Sequence, residues 1–358
     1  MSSDLFAFVG TYTNLGSEGV YTLRMNGDTG QLKHVSVATG IENPSFLALD
    51  PSNEHLYAVC EIGDEEGASG AVTAFSINRS TGELTQINQQ STGGPGPCHL
   101  MVDATDSLVI ATNYAGGSVA VLPINDDGSL GNRTEFIQHV GSSINPKRQE
   151  KAHAHSVNID ESNSHAYVCD LGADKVFIYD IQHEKGKLSP SAQPFVNEVP
   201  GQGPRHFTFH PSGRFVYVLN ELGCTVTAYE LRSDGGLSPI ETVTTLPGGW
   251  EGDNTTADIH TSPDGKFIYA SNRGHHSLAI FSIDEESGHM TYIGHESTRG
   301  ETPRNFAIPP DGQFLLAENQ DSDTVVTFRR ESDGTLTATG SVLEVPALVC
   351  SQFMPVGG

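Results

Sequence analysis

Short runs in which apolar and polar residues alternate follow one another along the whole chain, separated by turns rich in glycine, proline, aspartate and asparagine. A period of two is typical of β-strands with one buried face, and no stretch keeps the 3.6-residue period of an amphipathic helix. In PRHFTFHPSGRFVY, at 204–217, two such runs flank a Pro-Ser-Gly turn. The pattern therefore predicts an all-β protein built from short antiparallel strands.

This strand–turn–strand unit recurs about every fifty residues, which is the period of a β-propeller blade. The copies that align on the turn are 44–57, 97–110, 154–167, 204–217, 256–269 and 303–316. Each is followed by a third strand, such as AVTAFSI or SLAIFSI, then by a glycine-containing turn and a fourth strand. We expect each copy to form one four-stranded antiparallel blade.

The two ends of the chain together predict one more blade. LVCSQFMP at 348–355 is a seventh copy with a single strand, whereas FAFVGTYT, GVYTLRM and QLKHVSVA near the N-terminus supply three strands. We therefore predict a seven-bladed β-propeller that forms a single domain over residues 1–358, with one blade closed by N- and C-terminal strands. Such closure leaves no open sheet edge.

Composition and charge restrict the expected partners. The formal net charge is −25, with 44 acidic and 19 basic residues. So acidic a surface repels nucleic acid and anionic lipid, and no segment approaches the roughly 18 apolar residues of a membrane span. Because the N-terminus also lacks the regions of a signal peptide, we expect a soluble cytoplasmic protein, a monomer or weak homo-oligomer. A saline habitat is one hypothesis for the acidity.

Two pairs of positions in each repeat carry polar residues that packing does not require. One pair opens the first strand of the repeat, and the other follows the second strand. Because successive antiparallel strands run in opposite directions, these two places lie at the same end of the propeller. We expect their side chains to meet at one mouth of the central channel. The candidates are His99, His155, Arg205, His206, Asn220, Glu221, Asn272, Arg273, Arg304 and Asn305.

The residue types at these positions indicate a pocket for a small anion. A guanidinium group binds carboxylate or phosphate through two hydrogen bonds, and Arg205, Arg273 and Arg304 all recur there. A neutral His155 beside a carboxylate suits acid–base catalysis. The asparagines have an alternative role, because asparagine commonly stabilises turns.

A metal site is not predicted. His153 and His155 would point to one side of a strand, which is a spacing that can bind metal, but no third ligand stands at a suitable distance. The five cysteines show no C-x-x-C spacing, so they indicate neither a zinc site nor a disulfide framework.

At these residues the sequence resembles the lactonase family of seven-bladed propellers, which contains bacterial 6-phosphogluconolactonases and the fungal carboxymuconate-lactonising enzyme. The segments that carry the resemblance are FVGTYT at 8–13, HAHSVNID at 153–160, GPRHFTFHP at 203–211, YVLNE at 217–221, ADIHTSPDGKFIYASNRGHHSLAIF at 257–281 and PRNFAIPPDG at 303–312. They run from the first blade to the last. The resemblance implies no cofactor, and it implies a site of one histidine, two arginines and one glutamate at a channel mouth. These match His155, Arg205, Arg273 and Glu221; Arg304 lies in a further recurrent motif.

The leading hypothesis is hydrolysis of a small anionic sugar lactone, with 6-phosphogluconolactone as the first candidate. His155 or Glu221 could deprotonate the attacking water. A glutamate between two arginines is the weaker base, so His155 is the predicted base and Glu221 orients an arginine. Arg205 and Arg273 would stabilise the oxyanion or hold the phosphate. The predicted substrate-binding residues are Arg304, His206, Asn220, Asn272, Asn305 and His99.

Two alternatives stay open. One is a muconate-type lactonising cycloisomerase in which His155 protonates carbon and the arginines hold carboxylates. The other is a non-catalytic binding propeller, although the WD dipeptide pattern of interaction propellers is absent and Trp250 is the only tryptophan.

Overall fold

The computed structural model describes residues 4–63 and 68–357. Over this part of the chain, seven antiparallel sheets of four strands each follow one another. The innermost strands of neighbouring sheets contact each other in a closed ring, so they surround a central channel. The predicted seven-bladed β-propeller is confirmed.

The strands are numbered β1–β28 in chain order, and the blades are numbered as they follow along the chain. Blade 1 contains β4 (Leu47–Leu49), β5 (His55–Cys60), β6 (Ala71–Ile77) and β7 (Leu84–Ser91). Blade 2 contains β8 (Pro97–Val102), β9 (Leu108–Asn113), β10 (Ser118–Pro123) and β11 (Glu135–Gln138). Blade 3 contains β12 (Ala154–Ile159), β13 (His165–Asp170), β14 (Lys175–Gln182) and β15 (Lys187–Asn197).

The second half of the ring repeats this order. Blade 4 contains β16 (Pro204–Phe209), β17 (Phe215–Asn220), β18 (Thr225–Leu231) and β19 (Leu237–Thr244). Blade 5 contains β20 (Thr256–Thr261), β21 (Phe267–Asn272), β22 (Ser277–Ile283) and β23 (Met290–Ser297). Blade 6 contains β24 (Pro303–Ala307), β25 (Phe314–Asn319), β26 (Thr324–Arg330) and β27 (Leu336–Glu344).

The closing blade joins the two ends of the chain, as predicted. From the axis outward it contains β28 (Leu348–Pro355), β1 (Leu5–Thr11), β2 (Gly19–Met25) and β3 (Leu32–Thr39). β28 pairs with β1 along nearly its whole length, from Leu348 opposite Thr11 to Pro355 opposite Leu5. Helical structure in the described residues is limited to three single 3₁₀ turns, Thr13–Leu15, His183–Lys185 and Gln320–Ser322. The described chain thus has no helix with the length and apolarity needed to cross a bilayer.

Burial follows the position of a strand within its blade. Every residue of β17, FVYVLN, is buried, because the second strand is covered by the neighbouring blades on both faces. The outermost strand β19 alternates between more and less exposed residues, because one of its faces meets solvent.

A tyrosine in the second strand ties neighbouring blades together. Its hydroxyl donates to the carbonyl of a turn glycine about seventy residues further along, in the next blade. The pairs are Tyr57–Gly128 (3.0 Å), Tyr167–Gly235 (2.7 Å), Tyr217–Gly288 (3.1 Å) and Tyr269–Gly334 (2.8 Å). These glycines have φ between 73° and 86°, and a Cβ atom on any of them would clash with a ring of the preceding blade.

A β-bulge interrupts the innermost strand in at least four blades, at the same place in the repeat. The register shifts between Pro97 and His99, Ala154 and Ser156, Pro204 and His206, and Pro303 and Asn305. The extra residues are Cys98, His155, Arg205 and Arg304. In a regular strand, consecutive side chains face opposite sides, whereas at the bulge Arg205 and His206 both line one void in the channel.

Candidate active site

Glu221 lies at the channel mouth and is contacted by three arginines. Arg148 Nη2 donates to Glu221 Oε1 at 2.6 Å, Arg273 Nη2 lies 3.1 Å from the same oxygen, and Arg205 Nε lies 3.3 Å from Oε2. Burial raises the pKa of Glu221, but Arg273, Arg205 and Arg148 outweigh it and lower the pKa to about 2. Glu221 is therefore ionised at neutral pH and is a weak base.

The repeat explains how residues of different blades meet here. Arg205 is the bulge residue of β16, and Glu221 directly follows β17 in the same blade, where its amide donates to Gly203 O at 2.7 Å. Arg273 directly follows β21 in the next blade, and its amide donates to Thr255 O at 2.9 Å. Backbone hydrogen bonds at the strand ends therefore fix the positions from which these charged side chains extend.

His155 lies beside this charge cluster and is neutral at neutral pH. Its ring is buried, and burial together with Arg205, His206 and Arg304 holds the pKa of His155 well below 6.5. Its Nε2 lies 3.9 Å from Glu221 Oε2, a distance at which a water molecule or a substrate group can mediate the contact. A neutral imidazole in this position can accept a proton.

The contact between Arg205 and His155 leaves the lone pair of the imidazole free. Arg205 Nη1 lies 2.9 Å from Nε2 and 3.3 Å from Nδ1 of His155. An atom on the lone-pair line of one ring nitrogen would lie much farther from the other nitrogen, so these nearly equal distances place Nη1 over the face of the ring. The guanidinium thus disfavours protonation of His155 electrostatically without blocking its basic nitrogen.

The backbone at His155 is held by two neighbours from blade 2. Cys98 Sγ and Thr112 Oγ1 each donate to the His155 carbonyl at 3.1 Å. The Tyr114 ring packs against the His155 ring in an edge-to-face contact with centroids 5.2 Å apart. Burial raises the pKa of the Cys98 thiol to about 12, so this cysteine is a packing and donor group and not a nucleophile.

Arg304 completes the mouth from blade 6 and has its own acidic partner. Its Nη2 donates to the Tyr12 hydroxyl at 2.9 Å, and its guanidinium lies 5.4 Å from the centre of the Tyr12 ring. The Tyr12 hydroxyl donates in turn to Glu61 Oε2 at 2.8 Å, and the Ser45 hydroxyl donates to the same oxygen. Glu61 therefore balances Arg304 through Tyr12.

Together these residues line a pocket of about 230 Å³ that carries excess positive charge. Its lining residues are Glu61, Cys98, Tyr114, Arg148, His155, Glu221, Arg273 and Arg304. With Arg205 beside it, four guanidinium groups face two carboxylates, so the net charge is +2 in a chain whose net charge is −25. Among the described residues, the buried Nε of Arg273 has no hydrogen-bond partner. The pocket therefore has the charge and the spare donors to bind an anion.

His206 and Asn305, predicted to bind substrate, lie instead in a buried layer deeper in the channel. Both contact Asp258: His206 Nδ1 lies 2.6 Å from Oδ1, and Asn305 Nδ2 donates to Oδ2 at 2.6 Å. His260 Nε2 also reaches Oδ2, at 2.9 Å. Burial raises the pKa of Asp258, but His260 and His206 outweigh it and hold the pKa well below its usual range.

His99 belongs to the same deeper layer. Its ring stacks on Phe46 with centroids 4.0 Å apart and meets His206 edge to face at 5.4 Å. None of His99, His206 and Asn305 lines the mouth pocket, whereas His206 lines a small void next to it together with His155, Arg205 and Arg304. Substrate contact by these three residues stays a prediction.

Asn220 and Asn272 also serve the fold instead of the pocket. The Asn220 amide donates to Thr225 Oγ1 at 3.1 Å and to Thr227 Oγ1 at 3.0 Å within its own blade. The Asn272 amide donates to Thr245 O at 2.9 Å. Both side chains are fully buried, so the role of asparagine in turns, considered above as the alternative, fits them better than substrate binding.

Some pocket residues were missed by the sequence reasoning. Glu61 and Tyr114 occupy the same position in their repeats as Glu221 and Arg273, so the repeat held a signal for them. Tyr12 lies at the end of the FVGTYT segment. Arg148 lies between β11 and β12, outside the repeat, and had no such signal.

Two other features lie apart from this chemistry. His153 turns away from His155, because its Nδ1 contacts Tyr114 O at 3.0 Å, and within the described ranges no three His, Cys, Asp or Glu side chains are grouped to hold a metal. A larger groove of about 680 Å³ lies between blades 3 and 4, beside Asp160 and Arg214, and contains no predicted site residue.

Comparison with known proteins places this geometry in a family. The family model described as lactonase, 7-bladed beta-propeller, matches residues 6–353. A 6-phosphogluconolactonase of Bacillus subtilis is 35% identical over 349 residues, which cover 97% of both chains. A 6-phosphogluconolactonase of Formosa agariphila is 36% identical over 343 residues, which cover 95% of both chains.

A solved structure shows the same architecture. The periplasmic gluconolactonase PpgL of Pseudomonas aeruginosa superposes with a TM-score of 0.94 at 33% identity, covering 99% of this chain and 100% of that one. The similarity therefore spans the entire propeller, including the strand ends that carry the mouth residues.

Proposed function

We propose that this chain, which belongs to the lactonase family of seven-bladed β-propellers, hydrolyses a sugar lactone at the channel mouth and that its substrate is 6-phosphogluconolactone. The family and the relatives named as 6-phosphogluconolactonases support lactone hydrolysis. The observation that carries the choice of a phosphorylated substrate is the net charge of +2 in the mouth pocket of an otherwise acidic protein. A phosphate dianion has the complementary charge.

The proposed reaction begins with water attacking the lactone carbonyl carbon. His155, neutral and with a free lone pair, takes a proton from this water as its oxygen bonds to the carbon. The carbonyl oxygen becomes an oxyanion, which Arg205 or Arg273 stabilises; a preorganised donor of this kind is typically worth about 3 kcal/mol. When the tetrahedral intermediate collapses, the ring C–O bond breaks and the leaving oxygen takes the proton from His155. The product is the open-chain sugar acid.

Glu221 has a supporting role in this scheme. Because its pKa is about 2, it stays ionised through the reaction and holds Arg148, Arg205 and Arg273 around one point. It also faces the imidazolium form of His155 across 3.9 Å and so stabilises the protonated intermediate state of that ring.

The test is turnover of purified protein on a panel of lactones, followed as acid release at constant pH. We expect hydrolysis of 6-phosphogluconolactone well above the spontaneous rate, with His155→Asn as the matched inactive control. Muconate absorbance in the ultraviolet serves as the control for lactonisation. Absence of acid release from every sugar lactone would overturn the proposal, and a change in muconate absorbance would favour the cycloisomerase.

A cytoplasmic location is part of this proposal, whereas the similar gluconolactonase of Pseudomonas aeruginosa is described as periplasmic.

A further inference from the structure

Arg148 differs from the other arginines of the mouth because it comes from a loop and not from a blade. It lies between β11 and β12 and reaches Glu221 of blade 4. Its side chain is 39% exposed, whereas that of Arg205 is 3% exposed and that of Arg273 is 15% exposed. Arg148 therefore forms the outer edge of the pocket, whereas the more buried Arg273 forms its inner wall and Arg205 lies beside it.

The loop holds Arg148 in place before any ligand arrives. The buried Gln149 donates from Nε2 to Leu171 O at 2.9 Å and accepts from the Asn145 amide at 3.2 Å. Asn145 Oδ1 accepts in turn from the Arg148 amide at 3.2 Å. Because its loop is anchored in this way, the Arg148 side chain loses little conformational entropy when a ligand binds, which favours a role in ligand recognition.

Arg148 has donors to spare. Both of its contacts use Nη2, which donates to Glu221 Oε1 at 2.6 Å and to the Tyr114 hydroxyl at 3.1 Å. Within residues 4–63 and 68–357, neither Nη1 nor Nε of Arg148 has a hydrogen-bond partner. Each of these partly exposed nitrogens carries an N–H, and because Nη1 and Nε lie on different edges of the guanidinium, each can donate its own charge-assisted hydrogen bond.

We propose that Arg148 is the specificity-determining residue that binds the phosphate of the substrate. This inference rests on the proposed function and deepens it. With the ester near His155 at the inner wall, a charged substituent at the far end of an extended sugar lies at the outer edge of the pocket, under Arg148. Glu221 holds the guanidinium through Nη2, which leaves Nη1 to donate to the phosphate. A lactone without phosphate gains nothing from this donor.

The experiment compares kcat/KM on 6-phosphogluconolactone and on gluconolactone for wild type, Arg148→Gln and Arg148→Lys. The loss of one charge-assisted hydrogen bond corresponds to a fall of roughly 10- to 100-fold. We expect Arg148→Gln to lower the ratio of the two kcat/KM values by about that factor. Lysine restores the charge without the fixed planar donors of a guanidinium, so Arg148→Lys should give an intermediate ratio. Lys147→Gln, which removes the same charge from the adjacent exposed residue, is the matched control and should leave the ratio unchanged.

Two outcomes would overturn the inference. Equal fold-losses on both lactones would show that Arg148 acts only by holding Glu221, and unchanged kcat/KM on both lactones would show that it does not recognise phosphate. Calorimetric binding of 6-phosphogluconate tests Arg148 separately from turnover: wild type should bind it, and Arg148→Gln should bind it at least tenfold more weakly. If wild type binds this acid through Arg148 but hydrolyses no lactone, the proposed function fails and the phosphate site stands.

Discussion

Glu221→Gln is the substitution that most directly tests the electrostatics of the site. Three guanidinium groups converge on this carboxylate, and the residue is 2% exposed, so solvent screens the interaction little. Glutamine keeps the size of the side chain and removes the charge. The variant therefore leaves Arg148, Arg205 and Arg273 to repel one another in a buried space.

The magnitude follows from the pKa. Lowering the pKa of Glu221 from 4.5 to about 2 corresponds to roughly 3 kcal/mol of folding free energy at neutral pH. Because the folded-state pKa is the lower one, this stabilisation is fully present above pH 4.5 and is lost as the pH falls toward 2. At pH 3.5 about 2 kcal/mol should be left.

The assay is urea unfolding of wild type and Glu221→Gln at pH 7 and at pH 3.5. Glu230→Gln, on the exposed side of β18 in the same blade, is the matched control. We expect the Glu221 variant to be less stable by about 3 kcal/mol at pH 7, with a smaller deficit at pH 3.5, and the control to differ little from wild type. A Glu221 variant as stable as wild type at pH 7, or a deficit that grows on acidification, would refute this reasoning. Added phosphate should restore part of the lost stability by neutralising the arginines.

Three further substitutions test other parts of the molecule. His155→Asn should lower kcat by about 10²- to 10⁴-fold, and wild-type turnover in the variant would exclude His155 as the base. In wild type, the loss of activity on acidification should begin only below pH 6.5, because the neutral ring is required and its pKa is lowered. Asp258→Asn should lower the free energy of unfolding, measured in urea, by about 3 kcal/mol or more, because it removes the ionised partner of His206 and His260. An unchanged unfolding midpoint would contradict the role given to this buried layer. Glu318 is fully buried on β25, and burial raises its pKa to about 8, so wild type should lose stability as the pH rises from 4.5 toward 8. Between pH 4.5 and pH 7 the stability of Glu318→Gln relative to wild type should therefore improve by about 3 kcal/mol, and parallel pH profiles of the two proteins would argue against a neutral Glu318.

The fold was predictable because every blade has the same pattern of buried and exposed positions. The apolar positions, the glycine turns and the spacing of about fifty residues recur in every copy, so the pattern determines both the strands and their order. The single strand at 348–355 and the three strands near the N-terminus could complete a blade only by pairing with each other. The observed pairing of β28 with β1 is what that reasoning requires.

The site was predictable only where it follows the repeat. Glu221 and Arg273 stand at equivalent strand ends and Arg205 at the start of a first strand, and the structure brings both arginines within ion-pairing distance of Glu221; the catalytic roles of the three residues stay a prediction. The depth of each residue in the channel was not predictable, because it depends on the bulge, which leaves no mark in an alternating pattern. His206 therefore lies in the buried layer although it directly follows Arg205. Arg148 could not be found, because its loop is not repeated.

The bulges of β16 and β24 also affect how such a protein can diverge. Each places two successive side chains toward the axis: the first, Arg205 or Arg304, lies at the mouth pocket or beside it, and the second, His206 or Asn305, contacts the buried Asp258. Under the proposed function, a mutation at the first position alters substrate binding, whereas the second residue maintains the buried layer. After gene duplication, new substrate specificities can therefore evolve at positions directly next to residues that the fold requires.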